Sequence, residues 1–344
     1  MIPVFPSTSV NDYDITDYFS INPDYGTQSD FQTLVEAAQE RGIRVLLDFV
    51  PSHLSDQHPI FQDAYGNPES EYSDWFVWTN DVHTQYASFA GNREMPRSNH
   101  YNPEVVNYLT QAALYWLDLD GDGDYTDIVY GFRVDNATFP PKEFFVALRQ
   151  GVKSANSEAL LLGETWVNDS VDLSRFYEDQ FDALFDFPLN QQMQGNRDFN
   201  GDGLLVGKGF PALLTTLFNE REDHFPPEAI AVRFISNHDT NRIFSEVDSD
   251  TDRQRLAAAL LAGLPGPVIV YYGEELGMPD QKGGPPHWDN YRREPMAWYA
   301  SEEGEGQITW FRPDDRYNLP DDGISVEEQD SAPRFIAERL SSIE

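Results

Sequence analysis

Three apolar runs of strand length each lead to a carboxylate. Residues 130–134 (Tyr-Gly-Phe-Arg-Val) run into Asp135, and 159–163 (Ala-Leu-Leu-Leu-Gly) run into Glu164. Residues 232–236 (Val-Arg-Phe-Ile-Ser) lead into Asn237, His238 and Asp239. Side chains two residues apart in a strand share a face, so Arg133 and Asp135 point the same way. A guanidinium so placed holds the carboxylate ionised and fixes its direction, which is what a carboxylate nucleophile needs. The same pair suits a purely structural ion pair at a strand end, and the pentapeptide alone leaves both readings open.

Helical patterns separate the three runs. Strands alternating with helices, each strand delivering an acid at its carboxyl end, predict an α/β chain. The expected form is a parallel (β/α)8, or TIM, barrel with its chemistry on that face. Upstream, residues 27–42 read as a helix, with Ser29 or Asp30 near its start and Gly42 closing it. Residues 43–47 follow as a buried strand that delivers Asp48 and, through a turn, His53. Asn102-Pro103-Glu104 is a helix start, and that helix is expected to run to about Leu117. Further helices are expected over about 140–152, 171–177, 210–219, 252–264 and 332–342, with strands at 181–185 and 268–272.

At four of these places the chain resembles the α-amylase family, glycoside hydrolase family 13. The motifs are Asp48-Phe49-Val50-Pro51-Ser52-His53, Gly131-Phe132-Arg133-Val134-Asp135, Gly163-Glu164-Thr165-Trp166 and Asn237-His238-Asp239. Supporting matches are Tyr13-Asp14-Ile15-Thr16-Asp17-Tyr18, Met95-Pro96 with Asn102-Pro103-Glu104-Val105, and Tyr271-Tyr272-Gly273-Glu274-Glu275. They stand in the family's order over nearly the whole chain. The resemblance implies hydrolysis of α-glucosidic bonds with retention. Asp135 is the implied nucleophile, Glu164 the acid/base with a raised pKa, and Asp239 the third acid, which binds ring hydroxyls. Retention requires the first two carboxyls to lie about 5–5.5 Å apart. Tyr13, His53, Arg133, Trp166, His238, Asp289 and Arg293 are the implied substrate-binding side chains. On the residues alone, Tyr13 reads as packing and His53 as structural, and only the resemblance raises their binding role; Asp289 and Arg293 suit a local surface pair equally well.

The resemblance also divides the chain. Residues 1–53 and 102–344 match the catalytic barrel, and 54–101 match a short inserted B domain carrying Tyr72, Trp75, Trp78, Tyr86 and Phe89. Met1–Ser7 match the end of the second barrel strand, so the first strand and most of the second are expected to be missing from this chain. No C-terminal β-domain is expected. Departures bear on specificity. Asn136-Ala137-Thr138-Phe139 follow the nucleophile where typical α-amylases have a Lys-His pair, and Ser52 replaces a common asparagine. Both put the family's usual interdomain calcium site in doubt. The expected neighbourhood is that of α-amylase, neopullulanase and oligo-1,6-glucosidase. Transglycosylation is the alternative, and an inactive or non-catalytic fragment is the alternative from another class.

A different calcium site is suggested by residues 118–127, which read Asp-Leu-Asp-Gly-Asp-Gly-Asp-Tyr-Thr-Asp. Asp118, Asp120, Asp122 and Asp124 alternate, with glycine at the sixth position, as at the start of a calcium loop. Asp127 adds a carboxylate, but the twelfth position is Val129 rather than glutamate. The loop joins a helix to a strand, on the barrel's stability face, so calcium held there is expected to be structural. A shorter pattern at 198–203 reads more readily as a plain turn.

Composition supports the partner class. The 344 residues hold 59 acidic against 23 basic side chains, a formal net charge of −36. Phosphate backbones and anionic membrane surfaces would repel such a chain, so neither nucleic acid nor membrane is an expected partner, and α-glucan is. Scattered acids predict a strongly hydrated surface. With no cysteine, thiolate metal sites and thiol catalysis are excluded. The expected location is secreted or periplasmic, with any signal peptide upstream of Met1.

Overall fold

Four short strands lie side by side and parallel: β1 (Leu46–Phe49), then β4 (Gly131–Val134), β5 (Leu160–Gly163) and β6 (Ala183–Phe185). They belong to the computed structural model of the chain, which describes residues 3–195, 203–207, 209, 211–285, 288–308, 310 and 317–330. The strands are buried nearly throughout, as parallel strands covered on both faces must be. Between β1 and β4 come α2 (Pro59–Ala64), the antiparallel pair β2 (Ser88–Phe89) and β3 (Asn92–Pro96), and α3 (Pro103–Leu117). Helix α4 (Lys142–Ala155) links β4 to β5 and packs on α3. Helix α1 (Gln28–Gln39) precedes β1.

The chain divides into two units. The first comprises residues 1–166, 172–185 and 226–229. Its core joins the sheet to the N-terminal segment. Phe5, Tyr18 and Trp116 are fully buried and in ring contact, and the Trp116 indole N–H donates to the Tyr18 carbonyl at 2.7 Å. Within residues 54–101, the rings of Phe61, Phe76, Trp78 and Tyr86 pack on one another, forming a small aromatic core.

Three sequence expectations shift. Helix α1 is capped by Thr27 in a reciprocal pair with Asp30, rather than by Ser29 or Asp30. Strand β1 begins three residues later than expected, because the Ile43 N–H is still engaged with the Ala38 carbonyl in closing the helix. Asp48 therefore lies inside the strand rather than at its end. Gly131 opens β4 at φ 150°, where a Cβ would fall 2.1 Å from the Leu160 carbonyl oxygen of the next strand. Only glycine lets β4 and β5 approach in that register.

The second unit comprises residues 167–171, 186–225 and 230–344. Helix α5 (Ser170–Ser174) is divided between the units; α6 (Phe187–Met193), α7 (Pro211–His224) and β7 (Ile230–Val232) belong to the second. So do α8 (Ile243–Glu246), α9 (Thr251–Gly263), a 3₁₀ turn over Trp288–Arg293, and α10 (Val326–Asp330). Leu189, Met193, Leu217, Ile235, Val247 and Leu261 share its core. Strand β7 ends before residues 233–236, which were expected to be strand. Residues 268–272 form only one parallel bridge, Val268 to Arg233, after which the ladder goes no further among the described residues. Residues 198–202 of the second acidic pattern and the helix expected over 332–342 lie outside the described residues. No helix among the described residues is long and apolar enough to cross a membrane.

Candidate active site

Strand register assembles an acidic cluster in the first unit. Asp48 of β1 is the partner of Arg133 of β4, and Arg133 is the partner of Leu162 of β5. Glu164 lies two residues beyond Leu162, and Asp135 two beyond Arg133, so period-2 alternation sends all four polar side chains to one face. There the Arg133 guanidinium joins three carboxylates. Nη1 donates to both oxygens of Asp48, at 2.7 and 2.9 Å, and to Asp135 Oδ1 at 3.0 Å, while Nη2 donates to Glu164 Oε1. All four side chains are buried, Glu164 most deeply at 1% exposure. Burial works against the guanidinium's charge, but Asp48 and then Glu164 outweigh it, holding the Arg133 pKa well above its usual value. Arg133 stays a cation at any working pH.

The contacts of Arg133 with Asp48 and Glu164 were not foreseen, nor was that of Asn136 with Glu164. Asp48 stood in a motif but had no role, because it was placed after its strand. A carboxylate inside a buried strand requires a cation, and that requirement points to Arg133. Asn136 follows Asp135 with φ 42°, a left-handed conformation that asparagine tolerates. Its backbone N–H donates to Glu164 Oε2, at 3.3 Å.

Tyr13 sits at the edge of the cluster, its hydroxyl 3.1 Å from Asp48 Oδ2. His53 differs from expectation. Its Nε2 is 2.9 Å from the Tyr13 carbonyl and its Nδ1 2.7 Å from Ser52 Oγ. A carbonyl only accepts, so Nε2 carries the proton and Nδ1 accepts from the serine. Burial pushes the His53 pKa down to about 4, against the Tyr13 hydrogen bond and the Asp14 charge. With both ring nitrogens engaged and the residue 1% exposed, His53 has no free nitrogen for a sugar hydroxyl in this structure. It braces the Tyr13 backbone instead. Trp166 is half-buried, with its backbone N–H 3.3 Å from Thr138 Oγ1.

The second unit carries the other predicted residues on two loops. Asp239 Oδ1 accepts from Arg293 Nη2 at 2.8 Å, and Oδ2 lies 3.2 Å from His238 Nε2. The alternative reading of Asp289 and Arg293, a local surface pair, is not what forms. Asp289 binds Arg292 instead, at 2.9 Å. The reason is local: residues 288–293 form a 3₁₀ turn, in which side chains three apart, not four, eclipse one another.

The acidic loop between α3 and β4 brings three of its five carboxylates together. Carboxylate oxygens of Asp118, Asp120 and Asp122 all lie within 4.8 Å of one another. Asp124 and Asp127 are outside that group. The Asp124 carboxylate is engaged with the Thr126 N–H and hydroxyl, at 2.9 and 2.6 Å, and Val129 offers no oxygen from its side chain. Three hard oxygen donors fit part of a calcium shell, which takes six to eight.

The family described as "Alpha amylase, catalytic domain" matches residues 1–339. The chain belongs to the α-amylase family. It is 32% identical to Alpha-amylase 3 of Dictyoglomus thermophilum over 98% of its own length and 66% of that protein's. Identity to Neopullulanase 2 of Thermoactinomyces vulgaris is 31%, over 90% of this chain and 50% of the relative. The chain thus spans half to two thirds of these curated relatives. Among solved structures, an α-amylase from H. orenii superposes with a TM-score of 0.82 at 32% identity, covering 96% of this chain and 68% of that one. Membership in the α-amylase family gives the parallel sheet and its helices a place in the TIM-barrel fold.

Proposed function

We propose that this α-amylase-family chain carries the catalytic groups of a retaining α-glucan hydrolase, acting on starch, maltooligosaccharides or related α-glucosides. The observation that carries the proposal is one buried guanidinium shared by Asp135 and Glu164. Two carboxyls held on neighbouring nitrogens of one cation are close neighbours, as double displacement needs. Asp135, ionised beside Arg133, attacks the anomeric carbon and forms a covalent glycosyl-enzyme. Glu164 gives its proton to the departing glycosidic oxygen, then takes one from the water that releases the sugar. Asp239, steadied by His238 and Arg293, binds ring hydroxyls, and Trp166 lines the approach. The relatives' names support α-glucans as the substrate class.

The chain's product from maltooligosaccharides, followed by proton NMR, tests this reading. The α-anomer is expected first. First release of the β-anomer would refute the Asp135 nucleophile, and folded protein without turnover would refute hydrolysis by this chain.

Calcium at Asp118, Asp120 and Asp122 is proposed as a structural ion only, since this loop enters β4 at the end opposite to Asp135. Adding calcium to chelator-treated protein is expected to raise Tm by a few degrees. Asp120→Asn should abolish that rise, and an equal rise in both proteins would place the ion elsewhere.

A further inference from the structure

The loop that carries Asp239 is held by an arginine outside every expected motif role. Arg292 is 2% exposed, and each side of its guanidinium meets an acceptor. Nη1 donates to the Asp239 backbone carbonyl at 2.7 Å and to Asp289 Oδ1 at 2.9 Å. Nε and Nη2 donate to Asn241 Oδ1 at 2.9 and 2.6 Å. Its own backbone carbonyl accepts from the Tyr271 hydroxyl at 2.9 Å, which anchors the turn from the far side. Asn241 is fixed in turn, its Nδ2 donating to Glu246 Oε1 at 2.7 Å and its carbonyl accepting from Gln194 Nε2 at 2.7 Å.

Adjacent arginines therefore divide one task. Arg293 meets the carboxylate of Asp239 and, at 3.2 Å, the His238 carbonyl, while Arg292 holds the Asp239 carbonyl itself and, through Asn241, the backbone that follows. We propose that Arg292 is a positioning residue for Asp239, setting the distance and angle at which this acid meets the sugar ring. The inference rests on the reading of Asp239 as the third acid. Only a planar, multi-donor side chain serves here. A lysine has one nitrogen, and it cannot meet the Asp239 carbonyl, Asp289 and Asn241 at once. An acid whose interaction strengthens in the transition state is sensitive to small displacements, and about 1 Å can cost on the order of 100-fold in rate.

The test is a double-mutant cycle in the full chain on a 4-nitrophenyl maltooligoside, read as kcat and KM with thermal unfolding alongside. Arg292→Lys is expected to lower kcat by about 10- to 100-fold, with KM within about threefold. In an Asp239→Asn background, the same change should cost less than about threefold further, because the group it positions has already lost its charge. Equal losses of kcat in both backgrounds would overturn the inference and leave only a structural role. So would an Arg292→Lys protein with unchanged kcat. If Asp239→Asn itself proves harmless, the third-acid reading fails first. Where Arg292→Lys yields no folded protein, Asn241→Ser, which removes the amide acceptor, replaces it in the same cycle with the same expectations.

Discussion

Glu164→Gln is expected to lower kcat on maltooligosaccharides by at least about 1,000-fold while leaving the fold intact. Glutamine keeps the size and planarity of the side chain, so nothing in the packing around β5 has to move. Its amide oxygen can still accept from Arg133 Nη2, as Glu164 Oε1 does now. What is lost is the long contact from the Asn136 N–H, 3.3 Å from Oε2, where an amide NH2 would face another donor. That costs about 1 kcal/mol, partly offset by removing one negative charge from a cluster with three acids and one guanidinium. Thermal unfolding followed by circular dichroism should therefore shift by only a few degrees. The chemical step should collapse, because glutamine can neither protonate the glycosidic oxygen nor activate water. A glucosyl fluoride, whose leaving group needs no proton, separates these roles: its first step should survive while release of the glycosyl-enzyme slows. Near-parental cleavage of maltooligosaccharides would remove Glu164 from the mechanism.

How far the site could be read from the sequence depended on whether local or long-range geometry decided each residue. The strand ends at Asp135 and Glu164 were legible because alternation and an abrupt acid are properties of a few neighbouring residues. The partnership of Asp48 with Arg133 was not. It depends on parallel register between strands 85 residues apart, and on a start of β1 that the helix-closing turn at Gly42 displaces. His53 was legible as a motif member, but its hydrogen bonds depend on where the Tyr13 carbonyl comes to rest, 40 residues away. Asp289 and Arg293, four apart in the sequence, suited either sugar binding or a local pair, and in the 3₁₀ turn Asp289 meets Arg292 instead. At the acidic loop, alternation correctly brought Asp118, Asp120 and Asp122 together. It could not foresee that Asp124 would be drawn to its own neighbour, Thr126.

Arg133→Met should be the most damaging single change to the fold in the first unit. Methionine fits roughly the same volume, so the effect isolates charge rather than packing. Asp48, Asp135 and Glu164 would remain buried with their shared cation removed. Breaking a buried ion pair from one side costs about 3–5 kcal/mol, a large part of the roughly 5–15 kcal/mol that holds a domain folded. The pH dependence provides the check. Unpaired buried carboxyls hold protons more tightly in the folded state than in the unfolded chain, so the folded variant binds more protons near neutrality. Stability of the variant must then rise as pH falls, and drop as pH climbs toward neutrality. The parent also gains from acid, because its net charge of −36 is partly neutralised, so the quantity to compare is the difference between the two proteins. That gap in Tm is expected to be wide at pH 7.5 and to narrow at pH 5. Arg133→Lys should fall between them, since one ammonium can satisfy one or two of the three acids. A gap that stayed constant with pH would mean that Arg133 contributes by packing, and that the three carboxylates find their compensation elsewhere.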